Sequence, residues 1–290
     1  MPDDLAGAPN WRGPSVGRRR VLVIAADSVM AGLATVAAGG CSNQIPMTTD
    51  GAPRASASPS GSRGLTPATA SAKPRPSPRA PARPVRAVKS APGPAPTQPV
   101  YYLDDGPRVI ALTIDDGPSP VYTPQVLRLL EKYGVRATFS MIGESVSSYP
   151  AIVRDVAAAG HTIINHTWDH ADLTRLRAAA QRAEIARATD AIHAATGERP
   201  RMFRAPYGAW SREALKYCAS ERLLPLDWSV DPRDWARPGV SEIIATIMRT
   251  TRSGSIILEH DGGGDRSQTV AALQTVLPRL LDQGYRFAIP

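Results

Sequence analysis

The chain has 290 residues, 28 of them proline and 23 glycine, and a formal charge of +8; the length allows one large domain with extensions, or two small ones. Residues 51–100 carry eight Lys or Arg and no acid, and residues 1–50 carry four Arg against four Asp, so residues 101–290 keep 22 basic and 22 acidic residues and are formally neutral. The excess charge belongs to one segment, which disfavours a general basic nucleic-acid face, and two cysteines, Cys41 and Cys218, exclude a disulfide-rich scaffold.

The N-terminus has the three parts of an export signal. Arg18-Arg19-Arg20 precedes an apolar, alanine-rich run from Val21 to Ala38, and Gly39-Gly40-Cys41 follows. Arg18-Arg19 with Val21-Leu22 resembles a twin-arginine signal. Ala38-Gly39-Gly40-Cys41 resembles a bacterial lipobox, with Ala38 where Leu or Val is usual, and implies a lipid on Cys41. Asp27 in mid-span and the short run disfavour an uncleaved membrane anchor. The expected location is outside the cytoplasm, on the outer face of a bacterial cell membrane. Residues 42–100 read as a disordered linker: 12 of the 28 prolines fall in 51–100, among Ala, Ser and Arg, with few large apolar residues. About 60 such residues reach roughly 45 Å as a flexible coil. Their positive charge suits either anionic lipid and wall polymer or plain solvation.

From residue 101 the pattern changes. Short apolar runs predict strands at Val109–Ile114, Ala137–Ile142, His161–Asn165, Met202–Arg204, Leu224–Ser229, Ser255–Glu259 and Arg286–Ala288. Between them, helices are predicted at Pro124–Tyr133, Pro150–Ala159, Thr174–Thr196, Ser211–Glu221, Val240–Thr251 and Gln268–Gln283. In the last, Val270, Leu273, Leu277 and Leu280 recur at helical spacing and Gly284 follows as a stop signal. Gly197 similarly ends the long middle helix. Strands joined by helical crossovers predict an α/β domain with a parallel sheet. Seven strands in about 190 residues suit a slightly reduced TIM-like barrel, a distorted (β/α)7 type, with a doubly wound open sheet as the alternative.

Polar clusters follow five of the strands: Asp115-Asp116-Gly117-Pro118, His166-Thr167-Trp168-Asp169-His170, Arg204-Ala205-Pro206-Tyr207, Asp231-Pro232-Arg233-Asp234-Trp235 and His260-Asp261. In a parallel barrel these ends open onto one face, where active sites form. Singly, each has a plain structural reading; Asp-Asp-Gly-Pro is a turn sequence, and it recurs at 104–107 with no strand before it. Jointly they make a site. Two imidazoles and a carboxylate suit a divalent ion, zinc first, so Asp116, His166 and His170 are the expected ligands, leaving a position for water. Asp115 can take the proton of an attacking water and His260 can protonate a leaving amine. Arg204 would orient Asp115, and Asp234 would hold His260 cationic. Tyr207 could offer its backbone N–H to an oxyanion, and Trp235 and Leu258 could line a methyl-sized pocket. The sum is a metal-assisted amide or ester hydrolase. His161 and His193 are left out, Asp169 is a local hydrogen-bond partner, and strand alternation turns Glu259 and Asp261 away.

The strings TIDDGP, HTWDH, RAPY, DPRDW and LEH resemble the five ordered motifs of the NodB-homology polysaccharide deacetylases, carbohydrate esterase family 4. The resemblance covers about residues 101–290. It implies a distorted (β/α) barrel and metal-dependent hydrolysis of N-acetyl groups on an amino-sugar polymer. It also implies Asp115 as base, Asp116, His166 and His170 as metal ligands, and His260 as acid. Ile114 stands where the family usually has an aromatic, and Ala171 where it often has proline; neither bears a proton or a metal bond. Cobalt or nickel are alternatives to zinc. Peptidoglycan is the favoured polymer, because a tethered enzyme on a long linker meets the wall first; chitin oligomers and acetylated xylan are alternatives. The competing readings are an inactive carbohydrate-binding barrel, disfavoured because every base, acid and ligand is present, and a wall scaffold working through its basic linker. The expected partners are the polysaccharide and a membrane through the anchor, with no nucleic acid, and the expected state is a monomer.

Overall fold

A computed structural model describes residues 98–290. The export signal, Cys41 and nearly all of the linker lie outside the described residues. In chain order the elements are β1 (Val109–Gly117), α1 (Thr123–Tyr133), β2 (Thr138–Met141), α2 (Gly143–Ser148), α3 (Pro150–Ala158), β3 (Thr162–Asn165), α4 (Ala178–Thr196), β4 (Met202–Phe203), α5 (Arg212–Glu221), β5 (Leu224–Pro225), α6 (Val240–Thr250), β6 (Ile256–His260), α7 (Ser267–Asp282) and β7 (Arg286–Phe287).

All ladder pairings are parallel, in the order β5-β4-β3-β2-β1-β6. β7 pairs with the start of β1, at Val109 and Ile110, and β6 takes over from Ala111 to Asp115. Strands β1 to β5 lie side by side in chain order and β6 lies on the other edge of β1; the fold differs from an open doubly wound sheet in that its two edges are joined. Single bridges, Val230 to Ile257 and Val100 to Leu226, span the side between β5 and β6. The result is a distorted barrel closed by bridges at one seam.

Strand alternation sorts the core into two layers. On β1, Ile110, Leu112 and Ile114 face the helices and pack with Leu130, Phe139, Ile247, Leu273 and Leu277. Ala111 faces the barrel interior with Ile164, Met202, Leu226 and Ile256, and Thr113 and Asp115 continue that inner face toward the C-terminal end. Burying each large aliphatic side chain contributes about 1.5–3 kcal/mol. Gly197 and Gly284 stop their helices with left-handed backbone, at φ 79° and 82°.

Four expectations need correction. The helix expected over Thr174–Thr196 begins at Ala178, because Asp172 accepts from the Thr174 N–H and closes a separate single turn at Leu173–Arg175. A short helix over Gly143–Ser148 was not expected; six residues are too few to show a period. The fifth strand is only Leu224–Pro225 and then continues as isolated bridges. Val100 already joins the fold, its N–H donating to the Pro225 carbonyl at 2.9 Å.

Candidate active site

β1 runs three residues past its expected end, and the reason is a bulge. The register with β2 shifts between Asp115 and Gly117, and Asp116 takes left-handed backbone at φ 71°. Simple alternation would send two adjacent aspartates to opposite faces. The bulge turns Asp116 back, so both carboxylates reach one end of the barrel. Thr167, His170, Tyr207 and Arg233 also have positive φ, between 57° and 66°. Such strain gathers where a fold must aim particular side chains.

Asp116 Oδ1 lies 3.1 Å from His170 Nε2 and 3.5 Å from His166 Nε2. The three ligand atoms fall within 4.8 Å of one another. His166 Nδ1 sits 2.9 Å from the Arg204 carbonyl; a carbonyl only accepts, so Nδ1 carries the proton and Nε2 keeps its lone pair. His170 Nδ1 meets the Tyr207 hydroxyl at 3.1 Å. The buried Asp116 Oδ1 has no hydrogen-bond donor. Burial opposes the Asp116 charge, but the two histidines outweigh it and hold the carboxyl well below the usual range. Lone pairs converging on one point, with an orphaned oxygen among them, fit a divalent cation.

Asp115 stands beside this cluster, its Oδ2 3.7 Å from His166 Nε2. Arg204, fully buried, donates to Asp115 Oδ1 at 2.7 Å, to Thr113 Oγ1 at 2.8 Å and to the Asp227 carbonyl at 3.0 Å. Across the ladder from Asp115 is His260. Its Nδ1 lies 2.7 Å from Asp234 Oδ1, and its backbone N–H donates to Asp234 Oδ2 at 2.9 Å. The Thr269 hydroxyl donates to the same oxygen at 2.6 Å. Burial pushes the His260 pKa down, but Asp234, with the charges of Asp116 and Asp115, more than reverses this and raises it to about 9. The imidazole is therefore cationic at neutral pH, with Nε2–H its remaining donor.

Asp115, Asp116, His166, His170, Arg204, Asp234 and His260 thus come together. Tyr207 reaches the cluster through its hydroxyl, while two-thirds of its surface is exposed at the rim. Alternation sets Leu258 on the inner face of β6 below His260, buried. Trp235 is 46% exposed, with the Arg233 guanidinium 5.0 Å from its ring. His161 is a core residue: its Nδ1 accepts from the Ala137 N–H at 3.2 Å, and burial lowers its pKa to about 4. The Asp169 N–H donates to Glu184, and buried Cys218 is a free thiol raised to about 12 by burial.

Several supporting residues were not anticipated. Thr113 sits two residues before Asp115 on the same face, so period 2 could have found it. Trp228 packs 5.6 Å from the Arg204 guanidinium. Buried Arg266 donates to the Gly262, Gly263 and Trp235 carbonyls at 2.6, 2.9 and 3.2 Å, joining the two loops beside His260. Neither Thr269 nor Arg266 lies in a motif, and no pattern in the sequence marks them.

The chain matches the family described as polysaccharide deacetylase over residues 103–222. It is 43% identical over 192 residues to a chitooligosaccharide deacetylase of Bradyrhizobium sp. (strain ANU 289), covering 62% of this chain and 88% of that protein. It is 44% identical over 190 residues to a peptidoglycan-N-acetylglucosamine deacetylase of Bacillus cereus, covering 64% and 88% respectively. The crystal structure of the Bc1960 peptidoglycan N-acetylglucosamine deacetylase superposes with a TM-score of 0.63 at 32% identity, over 65% of this chain and 88% of that one.

Proposed function

The chain belongs to the polysaccharide deacetylase family, and from that premise we propose that it removes N-acetyl groups from an amino-sugar polysaccharide of the bacterial wall, peptidoglycan first. One observation carries the reading: two histidine Nε2 atoms face Asp116 Oδ1, and a held carboxylate and a held imidazolium flank them. A divalent ion held by Asp116, His166 and His170, zinc by its donor set with cobalt or nickel as alternatives, would polarise the amide carbonyl and acidify water.

The chain's own groups do the rest. Asp115 accepts the proton of the attacking water; Arg204 fixes which of its oxygens is free, since Oδ1 is already engaged. Charge developing on the carbonyl oxygen meets the Tyr207 backbone N–H. The acetyl methyl lies against Leu258 and Trp235. His260, charged through Asp234, gives the Nε2 proton to the departing sugar amine. Acetate and the free amine leave.

The preference for peptidoglycan rests on location. The export signal, Cys41 lipidation and a linker over residues 42–100 would tether the enzyme to the outer membrane face and let it reach the wall. The similar proteins include chitooligosaccharide and peptidoglycan deacetylases alike, so substrate choice is the point to test. The full chain, loaded with zinc, should release more acetate from peptidoglycan than from chitin oligomers or acetylated xylan at equal acetyl content. A higher rate on either alternative would overturn the substrate assignment.

A further inference from the structure

Glu259 lies between Leu258 and His260 on β6 and pairs with Ile114 of β1. Alternation sends it to the helix-facing side of the sheet, away from the barrel interior. There it is wholly buried, and neither carboxyl oxygen meets an N–H or hydroxyl donor. A buried carboxylate without a donor is costly. The charged groups facing Glu259 are Asp234, within hydrogen-bond reach, and Asp231 on the same turn, both acids.

Two buried carboxyls within hydrogen-bond reach of each other cannot both ionise cheaply, so a proton must reside on one of them. Asp234 already has three donors: the backbone and ring N–H groups of His260 and the Thr269 hydroxyl. Glu259 has none. Burial, followed by the Asp234 charge, raises the Glu259 carboxyl well above its usual range, whereas Asp234 is held below its own. The proton belongs on Glu259, and a protonated carboxyl is a donor.

We propose that Glu259 is a positioning residue: a neutral carboxylic acid that donates its proton to Asp234 from behind the sheet and so fixes the group that holds His260. This further donor spreads part of the Asp234 charge, so Asp234 grips the imidazolium proton less tightly and His260 releases it more readily. The assignment of His260 as the acid rests on the deacetylase reading; the protonation of Glu259 does not.

The test uses the full chain, with Glu259→Gln, which keeps a side-chain donor, and Glu259→Met, which keeps the length without one. In metal-stripped protein at neutral pH, the infrared difference between wild type and Glu259→Gln should contain the carbonyl stretch of a neutral carboxylic acid. Nitrogen-15 NMR should show the His260 midpoint higher by about 0.5 in Glu259→Met and close to wild type in Glu259→Gln. With zinc bound and chitotetraose as substrate, the alkaline limb of acetate release should move with that midpoint. A missing acid band, or an identical His260 midpoint in both variants, overturns the proposal. If Glu259→Met does not fold, the infrared band decides. Should wild type release no acetate from any polymer while the band and midpoints behave as expected, the functional reading fails and this one stands.

Discussion

Replacing Arg204 by Met removes the buried cation in direct contact with Asp115. Arg204 is fully buried, Asp115 is 2% exposed, and their contact is 2.7 Å. Removing one partner of such a pair strands the other charge and costs about 3–5 kcal/mol. For a folded domain of about 190 residues, each kcal/mol is worth roughly 2–4 °C in Tm, so the expected fall is about 6–20 °C. Thr113 Oγ1 and the Asp227 carbonyl lose their donors as well. In an Asp115→Asn background the stranded charge is gone, and the same replacement should cost only about 1–3 kcal/mol, the range for orphaned neutral acceptors. The assay is urea unfolding of the metal-stripped full chain for wild type, both single variants and the double variant, so that no bound cation masks the charge. Equal losses in the two backgrounds, or a loss under about 1 kcal/mol, would refute the argument that Arg204 serves the Asp115 charge.

Other expectations follow from the same geometry. Asp234→Asn removes the main group raising His260. The native pKa of about 9 exceeds the unfolded value of about 6.5, so His260 stabilises the fold fully below pH 6.5 and progressively less as pH rises through 9. The Asn variant should flatten that pH 6.5–9 slope in unfolding experiments and bring the alkaline limb of activity to lower pH. Asp116→Ala or His170→Ala should weaken zinc binding by more than the roughly 10–100-fold that loss of an outer partner costs, whereas His161→Phe should leave calorimetric zinc affinity unchanged. Gly262→Ala would place a methyl 1.9 Å from the Asp116 carbonyl oxygen. Backbone cannot yield cheaply there, so stability should drop by about 1–3 kcal/mol or more, with weaker zinc binding measured on the same samples.

The barrel and the five polar clusters were legible because they rest on local signals. Period 2 in β1 and β6, helical spacing in α7 and glycine stops at 197 and 284 each report on a few neighbouring residues. The clusters stood out because each follows an apolar run. What the sequence hid depends on the third dimension. The adjacency of Asp115 and Asp116 gave no sign of the bulge that lets both face the site. Thr269 and Arg266 act from α7 and the loop before it, across distances in sequence that no motif spans. Alternation turned Glu259 away from the interior, as expected, yet the helix-facing side brings it to Asp234. Short elements such as α2 and β5 escaped because too few residues carry their period.

Hydrolysis by a cation-dependent site with Asp115 as base is tested most directly by acetate release from the full chain, metal-stripped and then zinc-restored, beside Asp115→Asn. Acetate should be released from an amino-sugar polymer only with zinc, and Asp115→Asn should lose at least about 100-fold while it still folds and binds zinc. Undiminished release by a zinc-loaded Asp115→Asn, or no acetate from any acetylated polymer by wild type with stoichiometric zinc, would contradict it.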